Sequence, residues 1–158
     1  MSRFIHLEDE NELLEAYFLL SPLKTDYPAF GQWYWQTVRE GIKAGNRSIL
    51  AAIDDARDCI SGLAIIKAAE EKKISTLYVR DDCRGQGLGS ILLNRAIFEL
   101  HTEKPLITVA SSHILEYDAL LKDAGFAIKA TYPDYYNVGS IEYAFNGYLH
   151  NECRWQIA

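Results

Sequence analysis

A glycine-rich segment that joins a predicted strand to a predicted helix constrains this chain more than any other feature. Glycine occupies positions 85, 87 and 89 of the run Arg84-Gly85-Gln86-Gly87-Leu88-Gly89-Ser90. The first amides of a helix have no partner within the helix and lie at the positive end of its dipole, so they can bind a phosphate group. Glycine removes the side chains that would keep such a group away. The segment therefore predicts a phosphate-binding turn, with Arg84 adding a positive charge at its mouth.

The spacing of the glycines distinguishes among the known types of phosphate-binding turn. A P-loop requires a lysine directly after its last glycine, and none follows here. A dinucleotide-binding fingerprint has the spacing G-x-G-x-x-G and lies early in its domain, whereas this run is G-x-G-x-G and lies mid-chain. The pattern Arg84-x-x-Gly87-x-Gly89 resembles the [QR]-x-x-G-x-[GA] turn of the GNAT acetyltransferases. A tight strand-to-helix turn that binds nothing is the structural alternative.

The apolar patterning predicts seven strands and four helices, in an order that mixes hairpins with strand–helix–strand units. The predicted strands are Phe4–Leu7, Ser48–Ile53, Ile60–Ala68, Ile74–Val79, Leu106–Ala110, Phe126–Tyr132 and Ile141–Phe145. The predicted helices are Glu10–Leu20, Pro28–Ala44, Leu88–Leu100 and Ile114–Ala124. Polar runs at Asp54–Asp58 and Glu70–Lys73 are interpreted as turns. This order predicts a single α/β domain over residues 1–158, with a mixed, mostly antiparallel central sheet and helices on both faces.

Composition excludes several classes of function. The formal net charge is −6, which disfavours nucleic acid as a partner, including aminoacyl-tRNA as an acceptor. Three widely spaced cysteines, Cys59, Cys83 and Cys153, predict neither a disulfide framework nor a zinc site, so we expect no metal and reduced thiols. No apolar run is long enough to cross a membrane and the N-terminus lacks a signal-peptide pattern, so a cytoplasmic location is expected.

The resemblance to the GNAT superfamily covers about Ile49 to Phe126 and is specific in Leu77–Leu93. It implies acetyl-CoA as cosubstrate, and the Gly125-Phe126 pair also fits the family pattern. By this resemblance, the amides of Arg84 to Ser90 hold the diphosphate of CoA. The main chain of Leu77, Tyr78 and Val79 pairs with the pantetheine arm, and the Val79 N–H polarises the thioester carbonyl. The residues assigned to CoA are Leu77, Tyr78, Val79, Arg84, Gly85, Gln86, Gly87, Leu88, Gly89 and Ser90.

The acid and base that the implied reaction needs are harder to assign. The family often places a tyrosine four residues before the glycine of its Gly-Phe pair, but this chain has Leu121 there. Tyr117, one helical turn earlier, is the candidate acid, with half-buried packing as the alternative. His113 is a candidate contact to the pantetheine or thiol, or a helix cap. Tyr136 and Glu142 are candidates for residues that border the acceptor pocket. The alternatives are that Tyr136 packs in a turn and that Glu142 lies on a solvated strand face. The strand Ile74–Val79 contains no acidic residue, so the base is expected elsewhere or to be a water chain.

Two classes of function remain open. The first is an N-acetyltransferase that transfers an acetyl group from acetyl-CoA to a primary amine, of a small molecule or a protein, by direct attack. The second is a catalytically inactive CoA-binding regulatory module. The run Trp33-Tyr34-Trp35 is expected mainly in the core, with the acceptor pocket or a homodimer contact as alternatives. Arg154-Trp155-Gln156 either packs or forms a tail.

Overall fold

The strands form one seven-stranded sheet in the order β1-β2-β3-β4-β5-β7-β6. The computed structural model describes residues 2–149, so Cys153 and the run Arg154–Gln156 lie outside the described residues. The strands are β1 (Ser2–His6), β2 (Arg47–Asp54), β3 (Cys59–Ala68), β4 (Lys72–Val79), β5 (Leu106–Ala110), β6 (Ile128–Pro133) and β7 (Ile141–Phe145). All neighbours are antiparallel except β4 and β5, which are parallel. The predicted fold class is therefore confirmed.

The helices cover both faces of this sheet and bury two apolar clusters. They are α1 (Glu10–Leu19), α2 (Phe30–Trp33), α3 (Arg39–Ala44), α4 (Leu88–Leu100) and α5 (Ile114–Asp123). One cluster lies between the sheet and the segment that contains α1 to α3, and the other lies between the sheet and α4 with α5. An Asp9–Glu12 capping box starts α1. Because each face of the sheet buries alternate side chains, both clusters share the same strands.

The stretch predicted as one helix over Pro28–Ala44 begins at Phe30 and is interrupted. A π-helical turn, Tyr34–Val38, separates α2 from α3. Such a turn inserts an extra residue into a helix. Trp33 and Tyr34 are both buried in the core, as expected, and Trp35 packs edge-on against Tyr34.

Two predicted boundaries are wrong for identifiable reasons. The sequence predicts a polar turn at Lys73, but this residue lies inside β4, pairs in register with Lys67 and is completely buried. Phe126 was assigned to a strand, but its amide donates to the Leu121 carbonyl at 2.9 Å and so completes the end of α5. That end is set by Gly125, whose φ is +85°. The strand β6 therefore starts later than predicted.

The parallel strands β4 and β5 diverge after two paired positions. Lys73 pairs with Leu106 and Ile74 with Ile107, and the pairing then ends. Ser75 is an extra residue in β4 relative to β3, since Ile74 and Thr76 pair with consecutive residues of β3. A bulge of this kind bends its strand. The sheet consequently has a gap in its middle, beside the start of α4.

Gly62 on β3 permits the close packing that places α4 beside this gap. A Cβ at position 62 would lie 2.9 Å from the carbonyl oxygen of Tyr78 and 3.1 Å from Leu92 Cδ1. The first of these atoms belongs to the main chain of β4, so it cannot move away as a flexible side chain would.

We predict that Gly62→Ala lowers the free energy of unfolding by about 1–3 kcal/mol, because the added methyl group forces β3 and β4 apart. Urea denaturation followed by circular dichroism measures this change. Gly89→Ala is the matched control, since its Cβ would make only ordinary contacts, the nearest at 3.6 Å. That variant should be as stable as the parent or more stable. Equal stability of the Gly62→Ala variant would contradict the packing argument.

Candidate active site

The loop before α4 presents a row of main-chain amides with no acceptor in the described part of the chain. Gly85 and Gly87 have φ values of +78° and +83°, a conformation that favours glycine. Within residues 2–149, no main-chain carbonyl accepts a hydrogen bond from the amides of residues 85–90. An added Cβ at Gly85 or Gly87 would have no atom within 4 Å. The loop is thus open and matches the geometry of an anion-binding helix start.

Arg84 connects this loop to the end of β4. Its Nε donates to the Val79 carbonyl at 3.0 Å, and its two terminal nitrogens lie 3.3 Å from the carboxylates of Asp81 and Glu116. The guanidinium also lies over the ring of Tyr78. The positive charge predicted at the mouth of the loop is therefore present, but it is paired with two carboxylates of the protein.

A cleft of about 270 Å³ occupies the gap between β4 and β5. A second cavity of about 190 Å³ lies against the glycine loop. The two cavities are adjacent, and together they are called the channel. The residues that line both are Leu77, Arg84, Glu116 and Tyr117.

The main chain of β4 turns alternate residues toward this channel. The Arg80 amide donates to the Ser61 carbonyl of β3 at 2.9 Å. Because hydrogen-bonded and non-bonded pairs alternate in an antiparallel ladder, the main chain of Tyr78 also faces β3. Leu77 and Val79 then direct their main-chain groups into the gap. Of the three residues expected to pair with the pantetheine arm, Tyr78 reaches the channel with its side chain and not with its main chain.

Tyr117 lies where the two cavities meet. Its hydroxyl donates to the Leu77 carbonyl at 2.6 Å. Burial raises the pKa of Tyr117 to about 12, so the hydroxyl keeps its proton at neutral pH. Leu121, at the position where the family pattern has a tyrosine, is completely buried in the core. Tyr117 is thus the tyrosine of α5 that can donate a proton in the channel.

His113 lies at the start of α5 and lines the cleft. Its Nε2 is 2.8 Å from Asp26 Oδ2, and its Nδ1 is 3.4 Å from Glu116 Oε2. Asp26 is buried and also accepts a hydrogen bond of 2.6 Å from the Ser112 hydroxyl. The Asp26 carboxylate thereby fixes the start of α5 against the segment between α1 and α2.

Glu142 is buried directly behind the cleft. It is 3% exposed and lies opposite Ala110 in the register of β5 and β7. Tyr27, which lines the cleft, donates its hydroxyl proton to Glu142 Oε1 at 2.8 Å. Burial raises the pKa of Glu142 to about 7, although the hydrogen bond from Tyr27 and the charge of Lys73 act in the opposite direction. The alternative prediction, that Glu142 lies on a solvated strand face, is therefore wrong.

Tyr136 packs against the ring of Tyr27 and does not itself line the cleft. The two rings meet edge-on with centroids 5.4 Å apart, and Tyr136 packs in the same way on Tyr135. Its contact therefore holds the ring of Tyr27 in place.

Sequence reasoning missed three residues that the fold brings to the site. Two of them, Asp26 and Tyr27, belong to an irregular segment with no recognisable motif. Tyr27 is also 115 positions away from its partner Glu142, so no local pattern joins the two. The third residue, Lys73, was assigned to a turn. Its Nζ is buried without a hydrogen-bond partner among residues 2–149, and burial lowers its pKa to about 8.

We predict that the stability of the protein falls as Glu142 is forced to ionise. An unfolded glutamate ionises near pH 4.3, whereas Glu142 in the folded chain stays neutral up to about pH 7. Raising the pH from 5 to 8 should therefore favour the unfolded state by up to about 3 kcal/mol. Glu142→Gln lacks this group, so its stability relative to the parent should rise over that range. Urea denaturation at both pH values measures the difference, and a constant difference would contradict the assignment.

No helix among residues 2–149 is both long and apolar enough to cross a membrane. The sequence matches no curated protein significantly. Solved structures with the same fold are nevertheless numerous. A GNAT-family protein from Desulfovibrio desulfuricans is 15% identical, with a TM-score of 0.75 over 92% of this chain and 97% of its own. A Bacillus subtilis acetyltransferase in complex with CoA is 17% identical, with a TM-score of 0.66 over 94% of this chain and 100% of its own.

A third structure, a chimera of the Vibrio cholerae spermidine N-acetyltransferase SpeG and hSSAT, is 14% identical. Its TM-score is 0.67 over 96% of this chain and 98% of its own. At these identities the likeness establishes the fold. The family model described as the acetyltransferase (GNAT) domain matches residues 25–127, which is more than half of the chain and includes β2 to β5, the glycine loop and α5. The glycine loop, the divergent strands and this match together show that the chain belongs to the GNAT acetyltransferase family.

Proposed function

We propose that this protein is an N-acetyltransferase that transfers the acetyl group of acetyl-CoA to a primary amine. One observation carries the proposal: the cleft between β4 and β5 adjoins the cavity at the glycine loop, where the amides of residues 85–90 have no main-chain acceptor among residues 2–149. A diphosphate at the amides and a flexible polar arm in the gap together match the chemistry of CoA. The Bacillus subtilis structure contains CoA, and a streptothricin acetyltransferase from Bacillus anthracis contains acetyl-CoA, which supports this assignment by fold.

The main chain of β4 supplies polar groups for the arm. Leu77 and Val79 face the gap, where β5 no longer pairs with them. Their carbonyls are taken by Tyr117 and Arg84, which leaves the amides as donors. The Val79 N–H is our candidate to polarise the thioester carbonyl, since a fixed donor stabilises the charge that develops on that oxygen.

The acetyl group passes directly from the thioester to the amine in this proposal. Among residues 2–149, no cysteine lines the cleft between β4 and β5. Cys83 lines the cavity at the glycine loop instead, where its sulfur accepts a hydrogen bond from Arg57. A covalent acetyl-enzyme therefore has no thiol at the position where the thioester would lie.

Tyr117 is the proposed acid. Its hydroxyl retains a proton at neutral pH and lies at the junction of the two cavities, where the CoA sulfur would pass. Donation of that proton to the departing thiolate would complete the C–S cleavage.

The cleft favours a positively charged acceptor. Its rim carries the carboxylates of Asp81 and Glu116 with Arg84 as the neighbouring cation, and the whole chain has a net charge of −6. Spermidine and streptothricin, the substrates named for structures of the same fold, are both amines. These observations support an amine as the acceptor.

We predict that Gly87→Glu weakens CoA binding at least 100-fold, because a carboxylate would meet the diphosphate at the start of α4. Gly87→Gln is the matched control. It carries the same bulk and the same strain at a φ of +83° but no charge. Titration calorimetry with CoA measures both affinities, and circular dichroism checks that both variants fold. Equal affinities for the two variants would rule out a charge contact at this position.

We predict that Tyr117→Phe lowers kcat at least 10-fold and leaves the affinity for CoA within about 3-fold, because only the proton donor is lost. Release of free thiol from acetyl-CoA across a panel of primary amines measures turnover. Tyr143→Phe, which removes a hydroxyl outside the cleft, is the control. Unchanged turnover would exclude Tyr117 from the reaction. Tight binding of CoA without thiol release for any amine in the parent protein would favour the inactive regulatory module.

A further inference from the structure

We propose that Tyr27 and Glu142 form the base of the reaction: Tyr27 takes the proton of the attacking ammonium as its own hydroxyl proton passes to Glu142. This inference rests on the proposed function and adds the group that the strand β4 fails to supply. Tyr27 touches the acceptor and is the catalytic residue of the pair, while Glu142 acts through it.

The geometry places Tyr27 between the cleft and a buried carboxylate. Tyr27 lines the cleft, and its hydroxyl lies 2.8 Å and 3.3 Å from the two oxygens of Glu142. Glu142 itself is 3% exposed and does not line the cleft, so it can exchange a proton with an acceptor only through a neighbour. Tyr27 is a neighbour that reaches both, and its ring is held edge-on by Tyr136.

The groups around Glu142 suit a proton acceptor that works near neutral pH. Burial and the nearby charge of Asp26 disfavour the carboxylate, whereas Tyr27, Lys73 and the hydroxyl of Thr108 favour it. The balance keeps the pKa of Glu142 at about 7. A base with such a pKa is ionised in half of the molecules at neutral pH and binds a proton more strongly than an ordinary carboxylate does, which is the compromise that general-base catalysis favours. Lys73 approaches from β4, Thr108 from β5, and Tyr132 lies opposite Glu142 on β6.

Acid and base then lie on different walls of one cleft. Tyr117 is bonded to the main chain of β4, while Tyr27 is bonded to Glu142 on β7, beyond β5. An acceptor that enters between them would have its nitrogen on the Tyr27 side and the CoA sulfur on the Tyr117 side. This separation lets one proton leave the amine and another reach the sulfur without exchange between the two tyrosines.

The other candidate base in the cleft, His113, is less suited to this task. Its Nε2 is bonded to Asp26 at 2.8 Å, and its Nδ1 lies 3.4 Å from Glu116 Oε2. Both ring nitrogens therefore face carboxylates of the protein. Glu116 is itself held by Arg84 at 3.3 Å.

The step balances in atoms and charge. The ammonium loses one proton to the Tyr27 oxygen, whose own proton moves to the Glu142 carboxylate, so Tyr27 remains neutral. The freed lone pair forms the N–C bond with the thioester carbonyl carbon, and the C–S bond breaks as the sulfur takes the proton of Tyr117. The second proton of the attacking nitrogen returns through solvent to restore Tyr117, and Glu142 releases its proton once the amide has left.

The test compares Tyr27→Phe and Glu142→Gln with the parent, using thiol release from acetyl-CoA with spermidine and a panel of other primary amines as probes. Each variant should lower kcat about 10- to 100-fold with the best acceptor, while calorimetry shows CoA affinity within about 3-fold of the parent. The parent's kcat should fall below about pH 7, and this acid limb should vanish in Glu142→Gln. Tyr132→Phe, a hydroxyl deletion beside Glu142 but outside the cleft, should change neither quantity.

A further variant tests the electrostatic part of the proposal. Lys73→Met removes a buried charge that favours the Glu142 carboxylate, so the acid limb should move to higher pH. If Tyr27→Phe turns over at the full rate of the parent, the inference is overturned and the proposed function stays intact. An unchanged acid limb in the pH profile of Glu142→Gln would have the same consequence. Absence of CoA binding or of thiol release with every amine in the parent would overturn both.

Discussion

The interrupted pairing of β4 with β5 is the interaction on which the rest of this structure depends. Strands in the middle of a sheet normally satisfy each other's main-chain groups, and leaving such groups unpaired in an apolar interior costs free energy. Here the pairing stops after two positions. The Ser75 bulge bends β4 at that point, and Gly62 lets β3 and β4 lie against α4. The sheet thus keeps a polar gap that a ligand's amide groups can complete.

Arg84 and Tyr117 show how the protein stabilises that gap without a ligand. Each donates to a carbonyl of β4, Arg84 to Val79 and Tyr117 to Leu77. These bonds occupy the acceptors and leave the donors of the strand exposed. The same two side chains border the glycine loop, so the groups that stabilise the gap are also those proposed for the diphosphate and the thiol. In the proposed function, binding and reaction therefore share one set of side chains.

The far wall of the cleft depends on burial in a different way. Glu142, Lys73 and Tyr27 are ionisable groups that the fold removes from water, and burial is the first cause of the altered pKa in each. A buried ionisable group lowers stability unless it is paired, and groups with such altered pKa values cluster at functional sites. Lys73 has no hydrogen-bond partner among the described residues, and Glu142 has Tyr27. This unfavourable arrangement beside the cleft is the reason we assign a function to it.

Local patterns predicted most of the fold. The strand and helix periods predicted all seven strands, and the helices α1, α4 and α5 begin where expected. Errors arose at the ends of elements, where hydrogen bonding overrode the preference that residue type indicated. The charge of Lys73 indicated a turn, but the β3–β4 hairpin continues through it. Phe126 looked like the start of a strand, but it completes a helix end beside Gly125. The π-helical turn within the aromatic segment left no recognised signal in the sequence.

The sequence by itself determined the glycine loop, because that site consists of consecutive main-chain amides and needs only glycines between a strand and a helix. It also predicted that Tyr117 on α5 lies beside the cleft, since helical spacing defines which face a side chain shares. Only the tertiary structure decided the partnership of Tyr27 with Glu142 and the burial of Lys73. Those properties arise from strands and segments far apart in the chain, and the energy of a buried charge depends on surroundings that no local pattern encodes.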